Sequence, residues 1–485
     1  MSLKKQAIKG VIWSGIQNWG SQAGSLITFL ILARLLSPAD FGLLALANTF
    51  VTFVSIFLDQ GFSQALIQRH EIEDRHFNTA FWTQICLGVC FMLLGVASSH
   101  LIAAIFEQPR LAPILQVLSS IFVINSLNRV QLAILRRKLA FKAIAIRALA
   151  SIIISGIVGV GFAFYGYGVW SLVAQQLTFE IVGVITFWSI SDWKPKLQFS
   201  VTHFKELSSF GISILGSKIL TYFNQNTDNL LIGYFLGEVA LGYYAVAYRI
   251  LQALIQLLVN TGNQVALPVL SKMQTEPQKL LRVFYQMTKY VSLIALPVFL
   301  GVVSLSNELV IVLFGEKWQS AIPVMQVLSL GGIVYLILFF NRSVFVAIGK
   351  PFWRLRLEVV NVVFNTFACI IAVNYGILAV GIAYVISDFL MIPLSLWVLK
   401  KLMKISLLSY LKQYISPIVC ASLMMVSILI SKYWIVAEPQ IVLIVCTLLG
   451  MVVYAACLQL LNPALSHEIR EVFFMAISKT KRKNF

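Results

Sequence analysis

The sequence predicts an all-α polytopic membrane protein: fourteen transmembrane helices in two six-helix lobes related by a pseudo-twofold axis, plus an appended helix pair. Three observations predict it: a high apolar content, long apolar segments along nearly the whole chain, and an internal repeat. Of 485 residues, 59% are apolar and 12% are charged, and the mean hydropathy is +0.86. Soluble chains carry about 25% charged residues, so a soluble enzyme and a soluble domain on a single anchor are both excluded.

Windows of about 20 residues, the length that crosses a hydrocarbon core of about 30 Å, give fourteen candidate helices. They lie near residues 11–33, 42–66, 78–104, 111–134, 144–164, 169–190, 208–234, 241–266, 286–314, 321–346, 357–374, 379–398, 414–431 and 440–461. The first ends in Leu35-Leu36-Ser37-Pro38 rather than in a small-residue cleavage site, so we interpret it as a retained span. All six cysteines lie in apolar runs, which predicts core residues rather than metal ligands.

The distribution of Lys and Arg predicts the orientation. With a cytoplasmic N-terminus, the cytoplasmic segments hold 27 basic residues and the external loops hold four: Arg34, Arg110, Lys317 and Lys432. Positively charged loops remain in the cytoplasm, so we expect a plasma (inner) membrane protein with both termini cytoplasmic. The basic residues are distributed over eight short cytoplasmic segments, and this distribution accounts for the net charge of +18. Binding of nucleic acid is therefore not needed to explain the charge.

An internal repeat divides the chain. Residues 36–47 match residues 236–247 at an offset of 200, and further matches follow in the same order. These are Pro113–Ser119 with Pro323–Ser329, Asn128-Arg129 with Asn341-Arg342, and Tyr165-Gly166 with Tyr375-Gly376. We therefore predict an N-terminal lobe at 1–200, a C-terminal lobe at 201–405, and two further helices with a basic tail at 406–485. Because six is even, both lobes enter the membrane from the same side, as parallel repeats.

The loop before the second helix carries a family resemblance. The stretch Ala33-Arg34-Leu35-Leu36-Ser37-Pro38 through Phe41-Gly42, ending in Asp59-Gln60-Gly61, and the 6+6+2 arrangement resemble the polysaccharide transporter branch of the multidrug/oligosaccharidyl-lipid/polysaccharide exporter superfamily. Its members include O-antigen and exopolysaccharide flippases. The resemblance implies two six-helix bundles around a cavity that opens alternately to each side. It also implies an undecaprenyl-pyrophosphate-linked oligosaccharide as substrate.

Further expectations concern partners and chemistry. We expect the lipid-linked oligosaccharide and membrane lipid as partners of a monomer, with a polysaccharide polymerase and glycosyltransferases as candidate protein partners. The sequence has no phosphate-binding glycine loop followed by Lys-Ser or Lys-Thr. We therefore expect no ATP hydrolysis by that route, no catalytic residue, no cofactor and no metal.

Twelve charged residues fall inside the predicted spans: Arg129, Arg147, Lys218, Arg249, Lys289, Arg342, Asp59, Glu180, Asp228, Glu308, Glu358 and Asp388. An unpaired charge at a helix centre costs about 2.5–3.5 kcal/mol on insertion scales, so each must be paired, hydrated or close to an interface. Four of them lie within about six residues of a span end, where long side chains reach the interface. For these four we expect an interfacial position: Arg147, Lys289, Glu308 and Glu358.

The first and seventh helices each carry a polar face. In the seventh, Ser217, Thr221, Asn224 and Asp228 recur at helical spacing. We predict that both faces line a wet central cavity, with these amides and hydroxyls contacting the sugars: Gln17, Asn18, Ser21, Asn224 and Gln225. Hydrogen bonding between helices inside a dry bundle is the alternative.

Four basic residues are the candidate pyrophosphate ligands: Lys218, Arg249, Arg129 and Arg342. Guanidinium and ammonium donors can replace the water that a pyrophosphate loses when it enters the membrane. Asp59 and Asp228 are candidates for ion coupling or for pairing with these bases. Two other function classes remain open: a cation-coupled drug or metabolite antiporter of the same fold, and a membrane enzyme such as a sugar polymerase or glycosyltransferase.

Overall fold

The computed structural model describes residues 3–59, 62–68, 72–274, 276–403 and 405–463, without the side chains of 3–8, 11, 59, 207–214 and 259–268. These ranges contain helices joined by short connections, and no strand. The helices are α1 (Leu3–Leu35), α2 (Pro38–Asp59), α3 (Phe62–Gln68), α4 (Asp74–Ile105), α5 (Leu111–Arg137), α6 (Phe141–Phe164), α7 (Val169–Ile190), α8 (Val201–Phe235), α9 (Gly237–Lys272), α10 (Pro277–Leu313), α11 (Ile322–Ala347), α12 (Pro351–Ala372), α13 (Ile377–Met403), α14 (Leu407–Trp434) and α15 (Pro439–Leu461).

The helices agree with a multi-pass membrane protein. Within the described ranges, twelve of them are long and apolar enough to cross a bilayer. The other long helices, α1 and α8, have 33 and 35 residues, and the polar faces noted in the sequence lower their hydropathy. A total of fourteen crossings therefore stays a prediction.

The second predicted span, 42–66, corresponds to most of α2 and to the first residues of α3, a helix of 7 residues. Residues 60 and 61, between the two, lie outside the described residues. Helix α3 buries Phe62 and Leu66 in a cluster with residues of α4 and α5.

The chain forms two compact units. The first comprises Met1–Val246 with Cys369–Val380, and the second comprises Ala247–Ala368 with Gly381–Phe485. The boundary falls inside α9, so α8 belongs to the first unit, although the repeat places it in the second predicted lobe. The predicted lobe boundary at residue 200 describes a sequence duplication and stays a prediction.

In the first unit, α1 packs closely on α6 through glycines. A Cβ atom on Gly20 or Gly24 would lie 2.7 Å from the side chain of Leu149 or Ile152, respectively. Small residues allow this close approach, and the approach provides dispersion contacts between the two helices. Such contacts matter in a membrane, because the hydrophobic effect does not favour association of helices that lipid already surrounds. The small-residue pattern in α1 is therefore a packing feature.

The connector between α7 and α8 lies against α4. Side chains of α4 satisfy its backbone: Trp82 Nε1 donates to the Lys196 carbonyl over 2.8 Å, Lys196 N donates to Asn78 Oδ1 over 3.0 Å, and Ser200 N donates to Thr79 Oγ1 over 3.2 Å. Ser200 also accepts a hydrogen bond from His203 N as the N-cap of α8. These bonds fix the start of α8 on the first unit.

In the second unit, α14 and α15 pack on α10. Tyr454 Oη donates to the Leu293 carbonyl over 2.7 Å, and Met424, Ile428 and Cys446 share an apolar cluster with Leu305. The two appended helices are thus part of the second unit's core.

Glu308, for which an interfacial position is predicted, forms an ion pair with a lysine near the end of α14. Its Oε2 lies 2.9 Å from Lys432 Nζ, which also donates to the Ser304 carbonyl over 3.1 Å. The Glu308 side chain is 7% exposed. The expectation counted residues to the helix end and did not include a cation from α14, where Lys432 lies in the last turn.

This ion pair provides a stability prediction. We expect Lys432→Ala to lower the free energy of unfolding by about 3 kcal/mol, because a buried carboxylate is left unpaired. Lys279→Ala is the control, since the Lys279–Glu276 pair is exposed and such pairs contribute about 0–1 kcal/mol. Thermal unfolding in detergent micelles measures both. Equal losses in the two variants would contradict the prediction, whereas a double Glu308→Leu, Lys432→Leu variant should regain stability.

Candidate functional site

The first unit contains a buried ion pair between α6 and α7. Glu180 is the twelfth residue of α7, and its Oε2 lies 3.3 Å from Arg147 Nη2. The guanidinium of Arg147 also lies over the rings of Phe179 and Phe187, at 4.8 and 5.4 Å from their centroids. An acid and two aromatic faces of α7 therefore hold Arg147 between the helices of the first unit, while its interfacial position stays a prediction.

A glycine makes room for this guanidinium. A Cβ atom on Gly183, one turn after Glu180, would overlap the Nη2 and Nε atoms of Arg147. Any side chain at position 183 would have to displace the arginine. The sequence of α7 thus provides both the acid and the space for its partner.

A second arginine acts on the same acid. Arg129 of α5, one of the predicted pyrophosphate ligands, interacts electrostatically with Glu180. The preceding residue, Asn128, donates through Nδ2 to the Glu180 carbonyl over 3.5 Å. The pair Asn128-Arg129 therefore connects the fourth helix of the first repeat to the sixth.

The second repeat has the corresponding arrangement within the second unit. Asp388 is the twelfth residue of α13, and its Oδ1 accepts a hydrogen bond of 3.0 Å from Asn361 Nδ2 on α12. Arg342 of α11 interacts electrostatically with Asp388. The preceding Asn341 donates to Ser395 Oγ of α13 over 3.1 Å. Again an Asn-Arg pair connects the fourth helix to the sixth.

The two arrangements differ in the partners of their acids. Glu180 faces two guanidinium groups, whereas Asp388 faces one guanidinium group and a neutral amide. Glu180 forms an ion pair with Arg147, whereas Asp388 accepts a hydrogen bond from a neutral amide at the corresponding place. The recurrence of Asn-Arg in the sequence is thus explained by a carboxylate at the twelfth position of α7 and of α13.

Asp228 of α8 is 1% exposed. Its Oδ2 accepts a hydrogen bond of 2.7 Å from Tyr244 Oη, and its Oδ1 accepts one of 2.8 Å from Asn229 N. One and a half turns earlier, Tyr222 Oη donates to the Thr49 carbonyl of α2 over 3.0 Å. These bonds tie α8 to α2 and to the start of α9, all within the first unit.

The remaining predicted residues have intermediate or high exposure. Of the bases, Lys218 and Arg129 belong to the first unit, Arg249 and Arg342 belong to the second, and all four are half-buried. The amides and hydroxyls are half-buried, except for two that are exposed: Asn18 and Gln225. The side chain of Asp59 lies outside the described residues. That these residues line one cavity stays a prediction.

Sequence reasoning missed the partners of the embedded acids. Glu180 is held by Arg147, Asp388 by Asn361, and Asp228 by Tyr244. None of these three partners is among the residues predicted to bind the pyrophosphate or the sugars. One signal was available in the sequence: Glu180 and Asp388 occupy the same position in the sixth helix of each repeat. Aligning those helices from their first residues would have revealed it.

The different partners of the two acids give a prediction for two matched neutral variants. Glu180→Gln removes the carboxylate that forms an ion pair with Arg147 and also interacts with Arg129, so we expect a loss of about 3 kcal/mol or more in unfolding free energy. Asp388→Asn removes the charge but retains an acceptor for Asn361, so we expect a loss of about 1 kcal/mol. Thermal unfolding of the purified variants measures the difference. A larger loss in the Asp388 variant would contradict the prediction.

Comparison with known proteins places the chain in a family. A model of the family described as polysaccharide biosynthesis protein matches residues 31–323. The teichuronic acid biosynthesis protein TuaB of Bacillus subtilis is 26% identical over 87% of this chain and 88% of its own length. The lipopolysaccharide biosynthesis protein WzxC of Escherichia coli is 28% identical over 81% of this chain and 80% of its own.

The fold has a solved counterpart. The lipid II flippase MurJ, in an inward closed conformation, superposes with a TM-score of 0.78 at 17% identity, over 94% of this chain and 99% of MurJ. At that identity the likeness shows the fold alone. Since the family model matches more than half of the chain, the protein belongs to the polysaccharide biosynthesis protein family, in the polysaccharide transporter branch of the multidrug/oligosaccharidyl-lipid/polysaccharide exporter superfamily.

Proposed function

We propose that this chain is a flippase that moves a polyprenyl-pyrophosphate-linked oligosaccharide across the plasma membrane for surface polysaccharide biosynthesis. Two relatives that match over four-fifths of the chain or more are named for the biosynthesis of teichuronic acid and of lipopolysaccharide. The fold is that of a lipid II flippase. Both termini are proposed to lie in the cytoplasm, in agreement with the charge of the loops.

The observation that carries the proposal is the presence of basic side chains on membrane-spanning helices of the first unit. Arg147 and Arg129 both interact with the carboxylate of Glu180 there. A basic side chain inside the membrane is costly in free energy unless anionic groups approach it. The pyrophosphate of a lipid-linked sugar is an anion that has to pass through the same layer.

The four basic candidates lie at different depths along the helices. Arg129 and Arg342 lie close to the predicted inner ends of α5 and α11, Lys218 near the middle of α8, and Arg249 toward the predicted outer end of α9. We propose that the pyrophosphate moves past them while the protein opens alternately to each side. Each arginine replaces lost hydration with two parallel N–H donors, and the lysine does so with one ammonium group.

The sugars need only neutral contacts. Gln17, Asn18 and Ser21 of α1, with Asn224 and Gln225 of α8, provide amide and hydroxyl groups in the first unit. Asp228 and Asp59 are proposed for ion coupling or for pairing with the bases. Movement of the substrate breaks no covalent bond, so this function requires no catalytic residue.

A deletion strain tests the function. We expect the lipid-linked oligosaccharide to accumulate on the cytoplasmic leaflet and surface polysaccharide to disappear, and both to recover when the chain is expressed again. The measurement is accessibility of the oligosaccharide to a lectin or glycosidase added to vesicles of known orientation. Normal surface polysaccharide, together with lost efflux of a cationic drug, would favour the antiporter instead.

Substitutions of two bases test the role in binding pyrophosphate. We expect Lys218→Ala and Arg249→Ala to reduce flipping by about tenfold or more, since each removes a charge-assisted contact worth about 1.5–3 kcal/mol. Arg249→Lys should recover only part of the activity, because lysine keeps the charge but loses the paired donors. Leaflet accessibility of the oligosaccharide measures the rate.

The exposed residues Lys194 and Arg354 provide matched controls for charge removal. Lys194→Ala and Arg354→Ala should flip substrate at the wild-type rate. All variants are compared at equal membrane abundance. Wild-type rates in both the Lys218 and Arg249 variants would remove the pyrophosphate role.

A further inference from the structure

Two glycines at equivalent positions of the repeat touch each other's helices. Gly42 lies in α2 and Gly242 in α9, 200 residues apart, in the aligned segments. A Cβ atom on Gly42 would overlap the Glu238 carbonyl oxygen, and a Cβ atom on Gly242 would overlap the Pro38 carbonyl oxygen. Residues 38 and 238 are themselves equivalent. The contact is therefore reciprocal, and we call these four residues the glycine seam.

Polar groups from one turn hold both sides of the seam. Gln108, in the turn between α4 and α5, donates through Nε2 to the Glu238 carboxylate on α9. Two residues later, Arg110 Nη2 lies 4.0 Å from Asp40 Oδ1 on α2. At the start of α2, Asp40 N donates to Ser37 Oγ over 3.3 Å and Ser37 N donates to Asp40 Oδ2 over 3.0 Å, so these two residues cap the helix. One turn thus holds the first turns of both helices together.

Below the seam the helices are sealed by apolar side chains. Leu46 of α2 and Leu241 of α9 are both 0% exposed. Both contact Gly233 of α8: a Cβ atom there would lie 2.9 Å from Leu46 and 3.4 Å from Leu241. Leu46 and Leu241 themselves are therefore inaccessible to water in this structure.

We propose that the glycine seam is the outer gate of the transporter. This rests on the proposed function, because alternating access requires equivalent helices of the two repeats to separate at one end and then at the other. The seam is the place where the repeats touch through backbone at matching positions. It lies beside loops with few basic residues, the side predicted to be external.

The composition of the seam suits a contact that opens and closes. Two glycine surfaces meet without interlocking side chains, so they separate without a change of rotamers. The holding groups are polar, and the Arg110 side chain is 64% exposed, so water can replace their contacts when the seam opens. A seam of interdigitated leucines would lose packing on every cycle.

Thiol labelling tests the gate without any substrate. Leu46→Cys is the reporter, and a membrane-impermeant maleimide is added to right-side-out vesicles; labelling of the chain without the reporter is subtracted. Gly42→Ala and Gly242→Ala should each raise labelling of the Leu46→Cys reporter about fivefold or more over the protein that keeps both glycines. The added methyl group overpacks the closed contact and so shifts the population of the protein toward the open seam. Gly161→Ala is the control, because no atom lies within 4 Å of a Cβ placed there.

The reciprocal geometry makes the outcome specific. Equal increases in the two glycine variants support the gate, whereas labelling that matches the Gly161 control, or an increase in only one of them, overturns it. If the glycine variants do not fold, Gln108→Ala with Arg110→Ala removes the polar contacts and leaves the packing intact. The same increase is expected there, and its absence overturns the gate. The deletion strain decides the proposed function separately, since labelling requires no oligosaccharide.

Discussion

The hydrocarbon layer provides no water to a charged side chain, so each embedded charge requires a partner from a neighbouring helix. This requirement decides which helices associate. Arg147 and Glu180 join α6 to α7, Lys432 and Glu308 join α14 to α10, and Asn361 and Asp388 join α12 to α13. Burial of apolar surface does not determine which helices associate, because lipid tails solvate a leucine side chain as well as another helix does. Small residues such as Gly20, Gly24 and Gly183 then permit the close approach that the polar pairs need.

The two predicted repeats place similar groups at similar positions but differ in the partners of their acids. An acid stands at the twelfth residue of α7 and of α13, beside an Asn-Arg pair from α5 or α11. In α7 the acid forms an ion pair with Arg147 of α6, whereas in α13 it accepts a hydrogen bond from the amide of Asn361 on α12. The fifth and sixth helices are thus joined by an ion pair in one unit and by a hydrogen bond to a neutral group in the other.

Much of the fold can be predicted from local sequence. Apolar length gives the position of each long helix, although observed helix starts lie up to nine residues before the predicted ones, as in α10, because polar first turns are also helical. Side-chain partners were not predictable in the same way. Arg147 and Glu308 were assigned to the interface because distance to a helix end is readable in one helix, whereas a partner on another helix is not.

Helix α8 shows how tertiary contacts can override a repeat. By duplication it is the counterpart of α1 and opens the second lobe, yet its start is fixed by the connector on α4 and its later turns by Tyr222 and Asp228. It therefore shares a unit with α1 and α5. Consequently Lys218, Asn224 and Gln225 belong to the same compact unit as Gln17, Asn18 and Arg129, rather than to a second one. The contacts that a helix makes, and not its place in the duplication, therefore decide which predicted site residues share a unit.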